Sequence, residues 1–405
     1  MSLRQQSKWH GAGVALICGS LILLISLGVR HAFGLFLQPV SLEQGWGRET
    51  FAFAIALQNL VWGASQPFTG MLSDRFGAKP IVAIGAFFYG AGVWTMSVIG
   101  GESLFILGAG VLVGLGLSGT TFPVIFGAIS RLVAPQERSL AMGITMAVGS
   151  FGQFAMLPIS LWMIVGLEWQ GALIALSVLA LAMLPLAFGI RNAPAPVVNA
   201  DEDVSFSQAL RDAFGQRDFW LLSLGFFACG FQVVFIAVHL PAYLADEGVG
   251  SGVATIVLAL IGLVNILGAY SAGVFGSRHR KPMLLSWIYL GRAVVIAAFV
   301  LLPITATTAY IFGAIIGLFW LSTVPLTNGT VAAVFGVKHM SMLAGIVFFA
   351  HQLGSFAGGW LGGWLYDRTG SYDMAWGIAI GLSVLAAALN WPITERPLAE
   401  RRATP

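Results

Sequence analysis

Gly70-Met71-Leu72-Ser73-Asp74-Arg75-Phe76-Gly77-Ala78-Lys79-Pro80 is a short polar stretch between two apolar runs, 50–72 and 81–99. Each run is close to the ~20 apolar residues that cross a ~30 Å hydrocarbon core. A connection this short has to reverse the chain at a membrane surface. Gly77 supplies the backbone freedom a tight turn needs. Gly70 lets helix ends pack closely, and Asp74 offers a carboxylate to arginines on neighbouring helix ends. Its expected partner is Arg131, so Asp74, Arg75, Gly77, Lys79 and Arg131 form the candidate conformational gate.

The same alternation extends along the whole chain. Of 405 residues, 58% are hydrophobic and 9% charged, whereas a soluble domain carries about a quarter charged residues. Twelve apolar runs stand out, at about 12–37, 50–72, 81–99, 103–130, 140–163, 169–189, 219–244, 252–275, 283–302, 308–335, 341–366 and 373–392. They are long and continuously apolar, without the period-two alternation of a closed barrel. The 51 glycines scattered through the chain suit membrane helices that pack backbone to backbone. Met1–His10 is polar and basic, but the following run is too long for a leader core and lacks a small-residue cleavage site. It is read as the first span, retained. Cys18 and Cys229 each lie inside an apolar run and predict no disulfide framework.

Lys and Arg orient these spans. With the N-terminus inside, 16 of the 20 basic residues fall on cytoplasmic segments. Arg48 and Arg368 fall outside, and Arg30 and Arg292 lie within spans. This asymmetry puts both termini on the cytoplasmic side by the positive-inside rule. It also accounts for the net charge of +3 without a nucleic-acid partner.

The longest polar stretch, 191–218, contains Asn192-Ala193-Pro194-Ala195-Pro196 and the acidic cluster Asp201-Glu202-Asp203. It is read as a cytoplasmic linker between six-span halves at 1–190 and 219–405. The halves echo each other. Lys79-Pro80 returns as Lys281-Pro282, and Gly143 as Gly345, both at an offset of 202; Gly149-Ser150-Phe151 returns as Gly354-Ser355-Phe356 at 205. Internal repeats of this kind let two bundles rock about a midplane site. The expected fold is an all-α membrane protein, twelve transmembrane helices in two pseudo-symmetric six-helix bundles.

The stretch 70–80 resembles the G-x-L-[SA]-D-x-x-G-x-[KR] signature of the major facilitator superfamily, at the expected place between spans two and three. Other stretches resemble the monocarboxylate transporter family and its bacterial relatives, including oxalate/formate-type exchangers. Val29-Arg30-His31-Ala32-Phe33-Gly34-Leu35-Phe36 is similar to the span-one segment that carries a substrate-binding lysine in that family, with Arg30 at the lysine position. Gly45-Trp46-Gly47-Arg48, together with Arg138, Ala141, Gly143 and Gly149, fits as well. Gly359-Trp360-Leu361-Gly362 through Tyr366-Asp367-Arg368-Thr369-Gly370-Ser371-Tyr372-Asp373 is similar to the family's ending. The resemblance implies the major facilitator fold and alternating-access transport. One departure stands out: span eight places Asn265 and Ala269 where the family commonly has a proton-binding aspartate and an arginine, so proton coupling does not carry over.

Apart from Asp373 at the first position of the last run, no Asp or Glu falls inside a span, whereas Arg30 and Arg292 do, each at a cost of about 2.5–3.5 kcal/mol or more near the bilayer centre. Positive charges without negative ones attract anions, and a planar guanidinium suits a carboxylate. Snorkelling toward the outer surface for Arg30 and a contact to span eight for Arg292 are the structural alternatives. His31, His239 and His351 are the groups within spans able to titrate near neutral pH, and they are the proton-coupling candidates. The candidate substrate-binding set is Arg30, Asn265, His351, Gln352, His239 and Arg292.

The chain lacks a Walker A loop, Cys/His metal spacing and a nucleophile motif. No enzyme activity, cofactor or metal is therefore expected. The expected function is secondary active transport of a small organic anion, first a monocarboxylate, by proton symport or anion exchange. Efflux of a hydrophobic compound or drug, and a transporter-like solute sensor, remain open alternatives. The expected setting is a bacterial inner membrane, multi-pass and monomeric, with the lipid bilayer and the anion as partners.

Overall fold

The computed structural model describes residues 12–46, 48–98, 100–191, 205–398 and 400. Met1–His10, the Pro-containing stretch from Asn192 and the acidic cluster Asp201–Asp203 lie outside the described residues. Within them the chain is helical, with no strand. Spans one to three are α1 (Gly13–Ala32), followed by a single 3-10 turn and the short α2 (Leu37–Gln44), then α3 (Arg48–Phe76) and α4 (Ala78–Ser97). Span four is built in pieces: α5 (Glu102–Ile106), a π-helical turn over Leu107–Leu112, α6 (Val113–Thr120) and α7 (Phe122–Leu132). α8 (Arg138–Leu181) contains spans five and six, bent at Glu168 (φ 59, ψ 173), and runs on into α9 (Met183–Ala187).

The second half begins with α10 (Phe206–Phe214), a nine-residue amphipathic helix inside the stretch read as linker, capped by Ser205 Oγ, which accepts from Gln208 N at 3.3 Å. Spans seven to nine follow as α11 (Arg217–Asp246), α12 (Ser251–Gly276) and α13 (Lys281–Leu301). Span ten is again divided, into α14 (Ala306–Phe319) and α15 (Thr323–Phe335), and α16 (Met340–Thr369) and α17 (Asp373–Asn390) complete the twelve. Among the described residues ten stretches are long and apolar enough to cross a membrane, and one of them, Pro135–Ala187, holds both spans five and six. α3 has the length, 29 residues, but carries Gln58, Asn59 and Gln66 in its middle. Large apolar side chains such as Phe87, Trp94, Trp162 and Leu301 stay exposed, as lipid-facing surfaces require.

Two compact units result. The first comprises Met1–Pro135, Val148–Asp203 and Val337–Gly345; the second comprises Gln136–Ala147, Val204–Gly336 and Ile346–Pro405. Each therefore takes one short stretch from the opposite half of the sequence. In the first unit α6 packs between α3 and α4, and α9 covers α1 and α4. In the second, α12 packs on α14 and α17 on α13 and α11.

The sequence reading drew spans four and ten as uninterrupted runs, and the structure corrects this. α6 stops where Thr121 adopts an extended backbone (φ −117, ψ −163), and α7 restarts with Pro123 in its first turn. α14 stops at Phe319, and α15 restarts at Thr323, ahead of Pro325. A proline in the first turn is tolerated there because its missing N–H would have had no helical partner. Thr121-Phe122-Pro123 and Thr323-Val324-Pro325 stand at an offset of 202, the same as Lys79 and Lys281. The repeat thus breaks its fourth span at one register in both halves, a signal present in the sequence.

Two glycines mark close approaches. A Cβ on Gly70 would collide with the Ser341 backbone inside the first unit, and one on Gly143 would come within 2.5 Å of Gly273 Cα inside the second. At the turn after α3, Gly77 has φ 88, a region that side-chain-bearing residues rarely adopt.

Candidate functional site

In the first unit Arg30 sits in the last turn of α1, just ahead of the 3-10 turn Phe33–Phe36. One Nη donates to Asn59 Oδ1 at 2.5 Å, and the guanidinium carbon lies 5.1 Å from the Trp62 ring centroid. Asn59, Trp62 and Gln66 stand three and four residues apart on one face of α3. Their order sets up a chain of bonds. Trp62 Nε1 donates to Gln66 Oε1 and Thr121 Oγ1, each at 3.0 Å, and Gln66 Nε2 donates to Ser118 O at 2.8 Å. The side chain that carries Arg30 is thereby tied to the break in span four. Arg30 Nε is buried without a hydrogen-bond partner, and among the described residues no carboxylate pairs with Arg30. A half-buried cation with an open, buried donor can hold a carboxylate, because an incoming anion supplies both the missing acceptor and the missing charge.

Trp62 serves both the cation and the break. Trp62→Phe should keep the ring under Arg30 yet cost about 1–2 kcal/mol of stability, since a buried bond is lost and its acceptors stay behind. Lowered thermal unfolding of the detergent-purified protein is the measurement; an unchanged transition would show that the indole N–H contributes nothing.

His31, one residue beyond Arg30, lies on an exposed face, and successive helix residues point about 100° apart.

At the end of α3 the Asp74 side chain is fully buried and pairs with Arg131. Its Oδ1 also accepts from Ser341 N at 3.2 Å and its Oδ2 from Met342 N at 2.8 Å. Asp74 thus caps the N-terminus of α16, whose first N–H groups have no helical partners. Arg131 Nε donates to Val337 O at 3.2 Å and an Nη to Lys338 O at 3.3 Å, so both members of the pair hold the stretch 337–342. Arg75 instead lies over Phe76 at 5.2 Å, and Lys79 Nζ over Phe188 at 4.2 Å. Neither joins the Asp74 cluster. The Ser341 and Met342 N–H groups carry no sequence signal, since every residue type but proline has that donor.

In the second unit His351 is buried midway along α16. Its ring stacks on Phe348 at 5.4 Å and lies 4.7 Å from Phe226. Nδ1 faces Gln352 Oε1 at 3.3 Å and Ser355 Oγ at 3.4 Å, while Nε2 is buried without a hydrogen-bond partner. The Cys229 thiol lies 3.2 Å from Thr323 Oγ1 at the start of α15. His239 lies elsewhere in the unit, with its Nε2 2.8 Å from Gly359 O; facing a carbonyl, that nitrogen is the donor. Its ring stands among Phe235 and Tyr372.

Arg292 and Asn265, both in the candidate substrate-binding set, turn their polar atoms to the span-ten break. Arg292 Nε donates to Phe319 O at 3.1 Å, an Nη to both Phe319 O and Trp320 O, and the other Nη to Gln232 Oε1 at 3.1 Å. Asn265 Oδ1 accepts from Leu321 N at 2.9 Å. The contact partners of Arg292 are spans seven and ten, where the sequence reading had named span eight. Of the rest of the set in this unit, His351 and Gln352 lie on α16 as described, and His239 lies apart from them.

Comparison with known proteins is consistent with this architecture. A family model described as Major Facilitator Superfamily matches residues 18–359. Monocarboxylate transporter 13 of Rattus norvegicus is 25% identical, over 89% of this chain and 83% of its own length. The oxalate:formate antiporter of Oxalobacter formigenes is 25% identical, over 92% of this chain and 89% of its own. Among solved structures, the E. coli fucose:proton symporter superposes with a TM-score of 0.69 at 17% identity, covering 92% of this chain and 98% of that one. At that identity the likeness concerns the fold alone.

Proposed function

Because the chain belongs to the Major Facilitator Superfamily, a family of transporters, we propose that it moves a small organic anion across the bilayer by alternating access, a monocarboxylate first among the candidates. The observation that carries this reading is Arg30: a half-buried guanidinium whose Nε is buried and unpartnered, steadied by Asn59 and Trp62. A fixed cation in a low-dielectric setting is costly until an anion meets it, so binding energy is available to an anion, and the planar guanidinium suits a carboxylate. The names of relatives across most of the chain, a monocarboxylate transporter and an oxalate:formate antiporter, support the substrate class. The Lys/Arg asymmetry supports both termini on the cytoplasmic side of a bacterial inner membrane.

Purified protein in proteoliposomes, offered radiolabelled formate, oxalate, L-lactate and pyruvate one at a time, should show saturable uptake of at least one of the three monocarboxylates. Indifference to all four, with extrusion of a hydrophobic dye instead, would overturn the carboxylate reading in favour of efflux.

Asp74 is proposed as the latch of the cycle, because its carboxylate holds the start of α16, from the second half of the sequence, onto α3. Asp74→Asn removes the charge that Arg131 and two N–H groups share. Hydrogen bonds to a charged group are worth about 1.5–3 kcal/mol each, so turnover should fall by roughly tenfold or more while KM moves less than about threefold. A cysteine introduced at Ser341 should become more reactive to maleimide in the Asn variant. Unchanged labelling together with unchanged turnover would remove the latch.

A further inference from the structure

Arg292 is fully buried, carries a full charge, and has no carboxylate beside it among the described residues. What balances it is the broken end of a helix. α14 ends at Phe319, and the carbonyls of its last turn have no donors waiting in the next segment because α15 restarts only at Thr323. Within hydrocarbon no water can substitute, and several backbone groups at the break are answered inside the unit. Leu318 O accepts from Ser322 Oγ at 2.5 Å, and Leu321 O from Val324 N at 3.0 Å. Phe319 O and Trp320 O accept from Arg292, and Leu321 N donates to Asn265. A helix C-terminus bears partial negative charge, so the guanidinium and the end of α14 neutralise each other.

The equivalent break in the first unit is held without any charge. Thr121 Oγ1 donates to Leu117 O at 2.7 Å, and Gln66 Nε2 to Ser118 O at 2.8 Å. The two arginines within spans therefore differ in kind. Arg30 keeps an open donor, whereas Arg292 has already found its acceptors and its counter-charge. Its remaining bond, to Gln232, extends the clasp, because Gln232 Nε2 donates onward to Ala379 O at 2.8 Å and to Ser383 Oγ.

We propose that Arg292 is a positioning residue of the transport cycle: its guanidinium, with Asn265 opposite, clasps the interrupted backbone of span ten at Phe319–Leu321 and sets the rate at which the second unit flexes there, without touching the transported solute. This goes beyond the anion reading and does not depend on which solute is carried. Lysine at this position keeps the charge but cannot bridge two carbonyls and an amide at once.

The test compares wild type, Arg292→Lys and Arg292→Met in lipid nanodiscs and proteoliposomes. Amide hydrogen exchange of the peptide spanning 315–326 should quicken by about tenfold or more in both variants, with the peptide spanning 115–126 unchanged as the internal control. Initial rates with formate, oxalate, L-lactate and pyruvate, each offered alone, should show maximal rates lowered by roughly tenfold in Arg292→Lys, with KM within about threefold of wild type. A raised KM at unchanged maximal rate would overturn the proposal and make Arg292 a ligand. Unchanged exchange at 315–326 would overturn it as well, whatever the solute. Should neither arginine variant insert, Asn265→Ala carries the same test, and normal exchange and turnover in that variant would sink the clasp. If none of the four acids is transported, the exchange measurement still decides the clasp while the carboxylate reading falls separately.

Discussion

Replacing Arg30 by alanine is expected to abolish carboxylate uptake, by a hundredfold or more in maximal rate over KM, while the protein inserts normally and unfolds at a temperature close to that of wild type. Removing one partner of a buried, hydrogen-bonded charge pair costs about 2–5 kcal/mol, which is the basis for the magnitude. Stability should change little because the free protein carries no partner charge for Arg30 to leave behind; Asn59 loses one bond, and its Nδ2 still donates to Ile55 O at 3.0 Å. Arg30→Lys should retain a fraction of activity, roughly a tenth, because the charge survives and the planar two-pronged geometry does not. The measurement is uptake of radiolabelled monocarboxylate into proteoliposomes alongside thermal unfolding in detergent. Wild-type uptake by the alanine variant would remove Arg30 from the binding site and with it the main support for an anionic substrate.

The second large effect concerns coupling. Span eight has Asn265 where related transporters commonly place an acid, and in this structure Asn265 Oδ1 is engaged with Leu321 N. If protons drive transport, a histidine has to carry them. His239 Nε2 already donates to Gly359 O, and His31 lies on an exposed face. His351 is buried, and its Nε2 has no hydrogen-bond partner, which makes it the central candidate of the three. An imposed inward pH gradient is expected to drive uphill uptake in wild-type proteoliposomes. His351→Gln should lose that drive, while exchange of internal for external anion persists because no net proton is moved. Uptake indifferent to the gradient but stimulated by internal anion would leave exchange as the coupling mode, and loss of exchange in His351→Gln would place the ring in binding.

How far these sites were legible beforehand depended on residue type. Arg30 and Arg292 both stand out in sequence, since a charge within an apolar run is unusual whatever surrounds it. Nothing in the run around either one tells a ligand from a clasp, because the difference lies in carbonyls 27 and 28 residues away, at Phe319 and Trp320. Trp62 carries no such signal, because an aromatic residue in a membrane helix is ordinary. Its spacing from Asn59 and Gln66 was available, but only the position of Arg30 gives that face of α3 a meaning. The interrupted fourth and tenth spans could have been found from Thr121-Phe122-Pro123 and Thr323-Val324-Pro325, where hydropathy alone sees an unbroken run.

The sequence by itself determined that this chain crosses a membrane twelve times in two repeated halves, and which residues bear charge inside the spans. Hydrophobicity, charge placement and turn chemistry are local properties, additive along the chain, and a window of some twenty residues is enough to read them. Tertiary structure alone decided which cation is free and which is spent. It also decided that Asp74 reaches N–H groups at 341 and 342, and that the backbone opened at Phe319–Leu321 is closed again by side chains from other helices. Those outcomes rest on hydrogen-bond geometry over a few ångströms between residues far apart in the chain. In a bilayer every buried polar group must find such a partner, but which partner it finds is settled only when the helices pack.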